Sequence, residues 1–341
     1  MEYVPLGRTG VRVSPLTLGA MNFGAWGNTD HDDSVRIIHR ALDAGINVID
    51  TADVYSHGES EEIVGKALAD GRRDDVVLAT KAHAQMGQDP NTRGNSRRWL
   101  VREVDNSLRR LGTDHIDLYQ IHRPDPDTHI DETLAALSDL VRAGKIRYAG
   151  CSTFPAHEIV EAHWTAEQRG RERFVTEQPP YSILTRGIET DVLPTAEKYG
   201  MAVLPWSPLG GGWLSGKYRR GTATDSLRSQ WAMSRFDPNS PDNAAKIDAV
   251  ESLIGVAEDA GVSLVELALA FTLAHPAVTS PIIGPRTMEQ LESQLGAADV
   301  RLDEETLDRV DEIVPPGTNL NPADAGWTPA PLADKKLRRR R

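Results

Sequence analysis

Short apolar runs alternate with longer amphipathic segments along most of the chain. Such runs are typical of buried parallel strands, whereas apolar residues spaced three and four apart are typical of helices. Segment 132–143 shows the second pattern, because Leu134, Leu137 and Val141 fall on one stripe. The pattern predicts strands at 16–19, 47–50, 76–80, 116–120, 147–150, 174–177, 201–204 and 280–283, and helices that include 33–44, 59–69, 97–111 and 132–143.

The spacing of these elements indicates the fold class. One strand and one helix recur roughly every thirty residues, the size of a strand–helix unit with its return connection. Glycine follows several predicted helix ends, at Gly45, Gly112, Gly144 and Gly200, as is common at helix C-termini. Eight such units in series predict an α/β fold, a single closed (β/α)8 barrel, and not an open doubly wound sheet. We therefore expect one domain over residues 1–341.

Four segments fall outside this repeat. Residues 1–15 are expected to form an N-terminal β-hairpin around a turn at 7–10. Residues 82–95 and 207–243 are long loops that follow strands, which places them on the C-terminal face of the barrel, where active sites form. Residues 315–341 contain five prolines and no helical period, so we expect a C-terminal tail that either folds over the pocket or is disordered.

Charge and composition exclude several classes of protein. The chain has 38 Lys and Arg against 50 Asp and Glu, a net charge of −12, which argues against nucleic acid or an anionic membrane as the main partner. The longest near-apolar stretch, 262–274, contains Glu266 and is shorter than the ~20 apolar residues of a membrane-spanning helix. No signal peptide is recognisable and Cys151 is the only cysteine, so we expect a cytoplasmic protein without an internal disulfide.

Polar side chains with complementary chemistry follow three successive predicted strands. Asp50, Lys81 and His122 end strands two, three and four, and Tyr55 comes five residues after Asp50. Each residue alone has an ordinary structural explanation, such as helix capping, loop packing or a hydrogen-bonded core histidine. Because the C-terminal ends of barrel strands face one mouth, the four together predict an active site. No paired cysteines or His-Glu-x-x-His motif occur, so no metal site is expected.

These four groups are suited to protonating an oxygen on which negative charge develops. A free phenol, with a pKa of about 10, is a poor acid at neutral pH, but a neighbouring ammonium stabilises the phenolate. At about 4 Å and an effective dielectric near 20 that attraction is on the order of 4 kcal/mol. None of the four groups is an electron donor, so we expect a hydride-carrying cofactor.

Several spaced motifs carry a family resemblance over roughly residues 3–314. They are Asp50-Thr51-Ala52 with Tyr55, Gly58-Glu59-Ser60-Glu61, Ala79-Thr80-Lys81, Tyr119-Gln120-Ile121-His122, Gly144-Lys145-Ile146-Arg147, Ser207-Pro208-Leu209, Gly216-Lys217-Tyr218 and Gly284-Pro285-Arg286-Thr287. Together they resemble the aldo-keto reductase superfamily of nicotinamide-dependent barrel enzymes, in particular a bacterial branch that also resembles potassium-channel β subunits.

The resemblance implies a function and a set of residues. It implies an NADP(H)-dependent oxidoreductase that reduces an aldehyde or ketone to an alcohol, with Asp50, Tyr55, Lys81 and His122 as catalytic tetrad and Tyr55 as general acid. Arg286 is expected to pair with a 2′-phosphate, which favours NADPH over NADH. The cofactor-binding residues that it implies are Ser152, Gln178, Trp206, Ser207, Leu209, Gly210, Gly284, Arg286, Gln290 and Gln294. The chain departs from the family pattern with Thr153 after Ser152 and with Gln294, since the family often has asparagine at both places.

Two other functions stay open, and the sequence does not identify the substrate. The first is a redox-sensing regulatory subunit that binds NADP(H) and a protein partner, as in the channel-subunit branch. The second is a lyase or isomerase that uses Lys81 as a Schiff-base amine. Side chains near the expected mouth predict a pocket for an apolar or aromatic small-molecule carbonyl compound; they are Met21, Trp26, Tyr181, Trp231 and Trp327. No sequence feature indicates the oligomeric state.

Overall fold

Eight parallel strands form the centre of the molecule among the residues described by the computed structural model, which are 1–69, 71–220 and 234–338. A short antiparallel hairpin, β1 (Val4–Pro5) and β2 (Arg12–Val13), precedes them. The eight strands pair in chain order, and the last pairs with the first. They are β3 (Thr17–Gly19), β4 (Val48–Asp50), β5 (Val77–Ala82), β6 (Ile116–Ile121), β7 (Ile146–Cys151), β8 (Phe174–Glu177), β9 (Ala202–Val203) and β10 (Ile282–Ile283).

The sheet closes on itself between β9 and β10. The backbone N–H of Ile282 donates to the carbonyl oxygen of Pro205 at 2.8 Å, and that of Thr279 donates to Val203 at 2.9 Å. Closure leaves no free sheet edge and brings all eight strand ends to one mouth. The predicted single (β/α)8 barrel with its N-terminal hairpin is therefore confirmed.

Helices surround the barrel and begin at capping residues that the sequence supplies. The first begins two residues earlier than predicted, because the carboxylate of Asp30 accepts the N–H of Asp33 at 2.9 Å. Gly112 and Gly200 follow helices with φ of 64° and 66°, the left-handed conformation expected at these positions. The helices of the described residues are α1 (His31–Asp43), α2 (Glu59–Leu68), α3 (Arg97–Leu111), α4 (Ile130–Arg142), α5 (Ala156–Arg169), α6 (Val192–Tyr199), α7 (Ala244–Asp259), α8 (Leu264–Ala274), α9 (Met288–Leu295), α10 (Glu304–Ile313) and α11 (Ala330–Ala333). None of these helices has the length and apolar character needed to cross a membrane.

The interior of the barrel is apolar at one end and polar at the other. Leu6 and Val13 of the hairpin are buried in one cluster with Val48, Ala79 and Leu118, which point inward from the strands. The hairpin therefore packs against the apolar end of the barrel interior. The polar inward residues lie further along the same strands, toward the C-terminal face.

The C-terminal segment packs against the barrel and is partly helical. The backbone N–H of Arg186 donates to Thr318 at 2.8 Å, and Asn321 Nδ2 donates to Asn243 Oδ1 at 2.8 Å. Within its described part, this segment contains α11 and the one-turn helices Pro322–Ala325 and Lys335–Leu337. Each of these is a single turn long, so no periodic pattern of apolar residues marks it in the sequence.

Candidate active site

Lys81 is the central side chain of the polar end of the barrel. It is fully buried, and its ammonium makes three hydrogen bonds: to Asp50 Oδ2 at 2.5 Å, to the carbonyl oxygen of Thr51 at 2.9 Å and to Tyr55 Oη at 3.2 Å. An ammonium has three N–H donors, so every donor has a partner. Burial alone would lower the pKa of Lys81, but Asp50 and Tyr55 outweigh it and raise that pKa, so the amine stays protonated.

Asp50 is held by groups from two other strands. Its second oxygen, Oδ1, accepts from the amide nitrogen of Gln178 at 2.9 Å and from that of Gln120 at 3.1 Å. Lys81 and Gln120 are register partners on β5 and β6, which brings the amide and the ammonium to one carboxylate. The carboxylate is therefore satisfied on both oxygens and fixed in orientation.

An unusual backbone turn places Tyr55 over Lys81. Ser56, His57 and Gly58 have φ of 48°, 56° and 98°, three successive residues in the left-handed region. Only glycine reaches that region without strain, so Ser56 and His57 are held there by the surrounding fold. Such strain is typical of functional sites, where the fold fixes a side chain in one position.

His122 lies beside Tyr55 at the same mouth. The two ring centroids are 5.7 Å apart, and the rings meet edge to face. Burial holds the pKa of His122 well below its usual value, and the positive charges of Lys81 and Arg123 lower it further. The imidazole is therefore neutral at pH 7 and carries one N–H donor and one acceptor nitrogen.

These side chains open into a cavity of about 500 Å³ at the C-terminal face. Asp50, Tyr55 and His122 line it, whereas Lys81 is buried directly behind them. Of the other predicted site residues, those that also line it are Met21, Trp26, Ser152, Gln178, Trp206, Ser207, Leu209, Gly284, Arg286, Gln290 and Gln294.

The lining is strongly cationic. Arg123, Lys217, Arg235 and Arg286 all line the cavity, and Asp50, already paired with Lys81, is the carboxylate among its described lining residues. Such an excess of positive charge fits a ligand with several negative charges. Two amide oxygens of the lining can also accept hydrogen bonds: that of Gln178, whose nitrogen is bonded to Asp50, and that of Gln294, which is buried without a partner in the described part of the chain. The cations and these acceptors together fit a phosphorylated nicotinamide nucleotide.

A model of the Aldo/keto reductase family matches residues 15–315. The chain belongs to this family. The uncharacterized oxidoreductase YrpG of Bacillus subtilis (strain 168) is 41% identical over 341 residues, which cover 96% of this chain and all of that protein. The aldo-keto reductase YhdN of the same organism is 38% identical over 301 residues, 86% of this chain and 87% of YhdN. A putative voltage-gated potassium channel subunit beta of Schizosaccharomyces pombe (strain 972 / ATCC 24843) is 36% identical over 318 residues, 91% of this chain and 92% of that protein.

Four residues predicted from the family pattern or for the pocket do not line the main cavity of this aldo/keto reductase. Gly210 lines a small neighbouring cavity, and its N–H donates to Ser207 O at 2.8 Å, so it is not available to a phosphate. Tyr181 lines the same small cavity and is buried, with its hydroxyl donating to Glu189 Oε1 at 2.7 Å. Trp327 follows Gly326 in the C-terminal segment and lines neither of these cavities. Trp231 lies outside the described residues.

Sequence reasoning missed four groups of this site, one of which is Lys217, a lining residue that it named only within a family motif. Gln120 lies on β6, two residues before His122, which directly follows that strand. Because successive side chains of a strand point to opposite faces, this spacing indicates that Gln120 points inward, as His122 does. Arg123 and Arg235 line the cavity, and nothing in their sequence context distinguishes them from surface arginines.

Proposed function

We propose that the protein is a cytoplasmic, NADPH-dependent carbonyl reductase that converts an aldehyde or ketone to an alcohol with Tyr55 as general acid. The observation that carries this proposal is the position of Lys81 Nζ, which contacts both Asp50 and Tyr55 at the floor of the cavity. Oxidoreductase relatives support the reaction class.

Tyr55 is oriented to give up its proton to the cavity. Its oxygen accepts an N–H of Lys81 at 3.2 Å, so the hydroxyl hydrogen points away from Lys81. When the proton leaves, the ammonium stabilises the phenolate, and Asp50 holds the ammonium in place. Lys81 itself is a poor Schiff-base amine because it is protonated and fully hydrogen-bonded, which disfavours the lyase or isomerase alternative.

His122 orients the substrate in this proposal. A neutral imidazole at the cavity wall donates its N–H to the carbonyl oxygen, next to the hydroxyl of Tyr55. Both donors converge on the oxygen where charge develops, and neither needs to change its charge before the reaction.

The remaining lining residues would hold the nucleotide. Ser152 and the amide oxygen of Gln178 are placed for a carboxamide, and Trp206 offers a ring face. Lys217 and Arg286 are the cations that we assign to phosphate groups, and Arg286 to the 2′-phosphate, which favours NADPH. A bound nicotinamide supplies the hydride for the reduction.

The test is the steady-state oxidation of NADPH and of NADH with a reactive aromatic aldehyde, with the alcohol product quantified. We expect one alcohol per NADPH and a much lower kcat/KM with NADH. The variant Arg286→Gln should weaken NADPH binding by about 10-fold and leave NADH binding unchanged. Absence of alcohol product, or equal use of both nucleotides by the wild type, would contradict the proposal.

A regulatory subunit is the second candidate, because relatives named as channel β subunits in yeast and plants match over most of the chain. That function requires nucleotide that stays bound for long times and very slow turnover. Stopped-flow release of NADP⁺ distinguishes the two: release in less than a second favours the enzyme, and release over minutes favours the subunit.

A further inference from the structure

Arg123 is a cavity residue that neither the predicted tetrad nor the predicted nucleotide contacts include. It directly follows His122 at the end of β6, and its Nη1 donates to the carbonyl oxygen of His122 at 2.6 Å. The same nitrogen lies 3.5 Å from Ser152 Oγ, and the guanidinium carbon lies 5.9 Å from the centroid of the Trp206 ring. The guanidinium is therefore fixed beside the predicted reaction centre through one of its three nitrogens.

Arg123 lacks the carboxylate that other enclosed arginines of this fold have. Arg110 pairs with Glu61 and Glu103, and Arg186 pairs with Glu189 and Asp311. Within the described ranges, no Asp or Glu lies within the 4.0 Å ion-pairing distance of Arg123. An enclosed cation without a counter-charge is costly unless an anion joins it.

A second guanidinium, that of Arg235, adds to the excess of positive charge in the cavity. Arg235 lines the same cavity, and its Nε is buried without a hydrogen-bond partner among the described residues. Burial lowers the pKa of Arg123, the charges of Tyr55 and Glu177 raise it, and the positive charge of Arg235 lowers it. Arginine stays charged under such conditions, so Arg123 and Arg235 both bring positive charge to the cavity.

We propose that the carbonyl substrate carries a carboxylate and that Arg123 binds it beside the reaction centre, with Arg235 adding attraction. This inference rests on the proposed reductase function and names its substrate class. A guanidinium binds a carboxylate through two parallel N–H···O bonds, and Arg123 retains the nitrogens for such a pair.

Phosphates of the nucleotide are the other possible source of negative charge, and the topology argues against them. Arg123 follows β6 and Arg286 follows β10, the fourth and the eighth strand of the eight-stranded ring, which lie on opposite sides of the barrel. The phosphate cations Arg286 and Lys217 are thus placed on the β9–β10 side, whereas Arg123 is placed next to His122. Arg235 also follows β9, so it is Arg123, next to His122, that the proposal assigns to the substrate.

The test compares 4-formylbenzoate with its neutral methyl ester as substrates of the wild type and of Arg123→Gln. We expect the wild type to prefer the carboxylate. In the variant, the ratio of kcat/KM for 4-formylbenzoate to kcat/KM for the ester should fall about 10–100-fold, mostly through the KM for 4-formylbenzoate. Equal losses for both substrates, or no preference in the wild type, would overturn the inference.

Three further measurements separate the charge of Arg123 from the geometry of its guanidinium, and substrate binding from nucleotide binding. Arg123→Lys should recover part of the lost kcat/KM, because lysine keeps the charge but not the planar fork. Arg142→Gln, at a side chain that is 61% exposed on α4, removes one positive charge far from the cavity and should leave both substrates unaffected. The Kd for NADPH should change much less in Arg123→Gln than the KM for 4-formylbenzoate does; a comparable loss would assign Arg123 to the nucleotide instead.

A binding measurement keeps this inference separate from the reductase itself. If no aldehyde is reduced, the proposed function fails, but benzoate binding to the NADP⁺-loaded protein still tests Arg123. Calorimetry should give a Kd for benzoate that is about tenfold weaker in Arg123→Gln than in the wild type. Equal benzoate affinity in the two proteins would overturn the inference, whatever the turnover.

Discussion

Lys81 and Asp50 form an ion pair inside the barrel, with 2.5 Å between Nζ and Oδ2 and side-chain exposures of 0% and 3%. Burying two charges costs several kcal/mol per ion, and their attraction offsets this only when the remaining donors and acceptors are satisfied. In this protein the remaining donors and acceptors are satisfied. Thr51 and Tyr55 accept hydrogen bonds from Lys81, and Gln120 and Gln178 donate to Asp50. We infer that the pair fixes the orientation of Tyr55 and contributes little net stability.

Removing one partner of this pair should be costly. Asp50→Asn leaves the buried ammonium of Lys81 without its counter-charge, and we expect it to lower the free energy of unfolding by about 3–5 kcal/mol. Urea denaturation measures the change. The double variant Asp50→Asn/Lys81→Met removes both charges and should recover a large part of the loss. A single variant as stable as the wild type would show that the ammonium is neutralised in another way.

The neutrality of His122 gives a pH prediction for catalysis. Because the pKa of His122 is held well below its ordinary value of 6.5, the imidazole does not change charge between pH 6 and 8. The pH profile of kcat/KM for aldehyde reduction should show no inflection in that interval that depends on His122. An inflection near pH 6.5 that disappears in His122→Gln would mean that the imidazolium is the active form.

Glu177, at the end of β8, gives a pH prediction for stability. Burial raises its pKa from 4.5 to about 7, although Cys151 and the N–H of Phe154 donate to it. The folded protein therefore keeps a proton that the unfolded chain releases, so stability falls as the pH rises from 4.5 to about 7 and does not fall further above it.

Glu177→Gln should remove this decline. Between pH 4.5 and 8, the free energy of unfolding should fall by about 3 kcal/mol less in the variant than in the wild type. This difference corresponds to the rise in the pKa of Glu177 from 4.5 to about 7. Urea unfolding at several pH values measures both proteins. Parallel curves for the two would show that Glu177 has an ordinary pKa in the folded state.

The C-terminal segment supports Trp206, which predicts an effect of a remote substitution. A Cβ added at Gly326 would lie 2.9 Å from Cζ2 of Trp206, and Gly326 has a φ of +78°. Gly326→Ala should therefore displace the ring and weaken NADPH binding, which quenching of protein fluorescence measures. Gly112→Ala is the matched control, because Gly112 has a φ of +64° and nothing within 4 Å of the added Cβ.

The control variant Gly112→Ala should lose roughly 1 kcal/mol of stability through backbone strain, but it should bind NADPH as the wild type does. Equal NADPH affinities in Gly326→Ala and the wild type would show that Trp206 keeps its position without this contact.

The sequence was sufficient to predict the fold and the proximity of the four predicted tetrad residues, for one physical reason. Parallel strands of a barrel end at a common face, so Asp50, Lys81 and His122, which end successive predicted strands, had to meet. The structure brings them together with small shifts: Lys81 is one residue before the end of β5, and His122 directly follows β6.

Loop and tail side chains could not be predicted in this way, because no periodicity fixes where they point. The hydroxyl of Tyr181 donates to Glu189, and the N–H of Gly210 donates to Ser207. Trp327 does not line the main cavity, although an aromatic side chain is common in a ligand pocket. Arg123 became a candidate only when its place in the cavity and its lack of a carboxylate partner in the described chain were visible.

The most direct test of the central claim is NADPH oxidation with a neutral aromatic aldehyde by Tyr55→Phe beside the wild type. Phenylalanine keeps the ring beside His122 and removes the hydroxyl that Lys81 contacts. We expect kcat to fall by about 100-fold or more while the Kd for NADPH stays unchanged. Turnover by the variant at the wild-type rate would contradict the assignment of Tyr55 as the general acid.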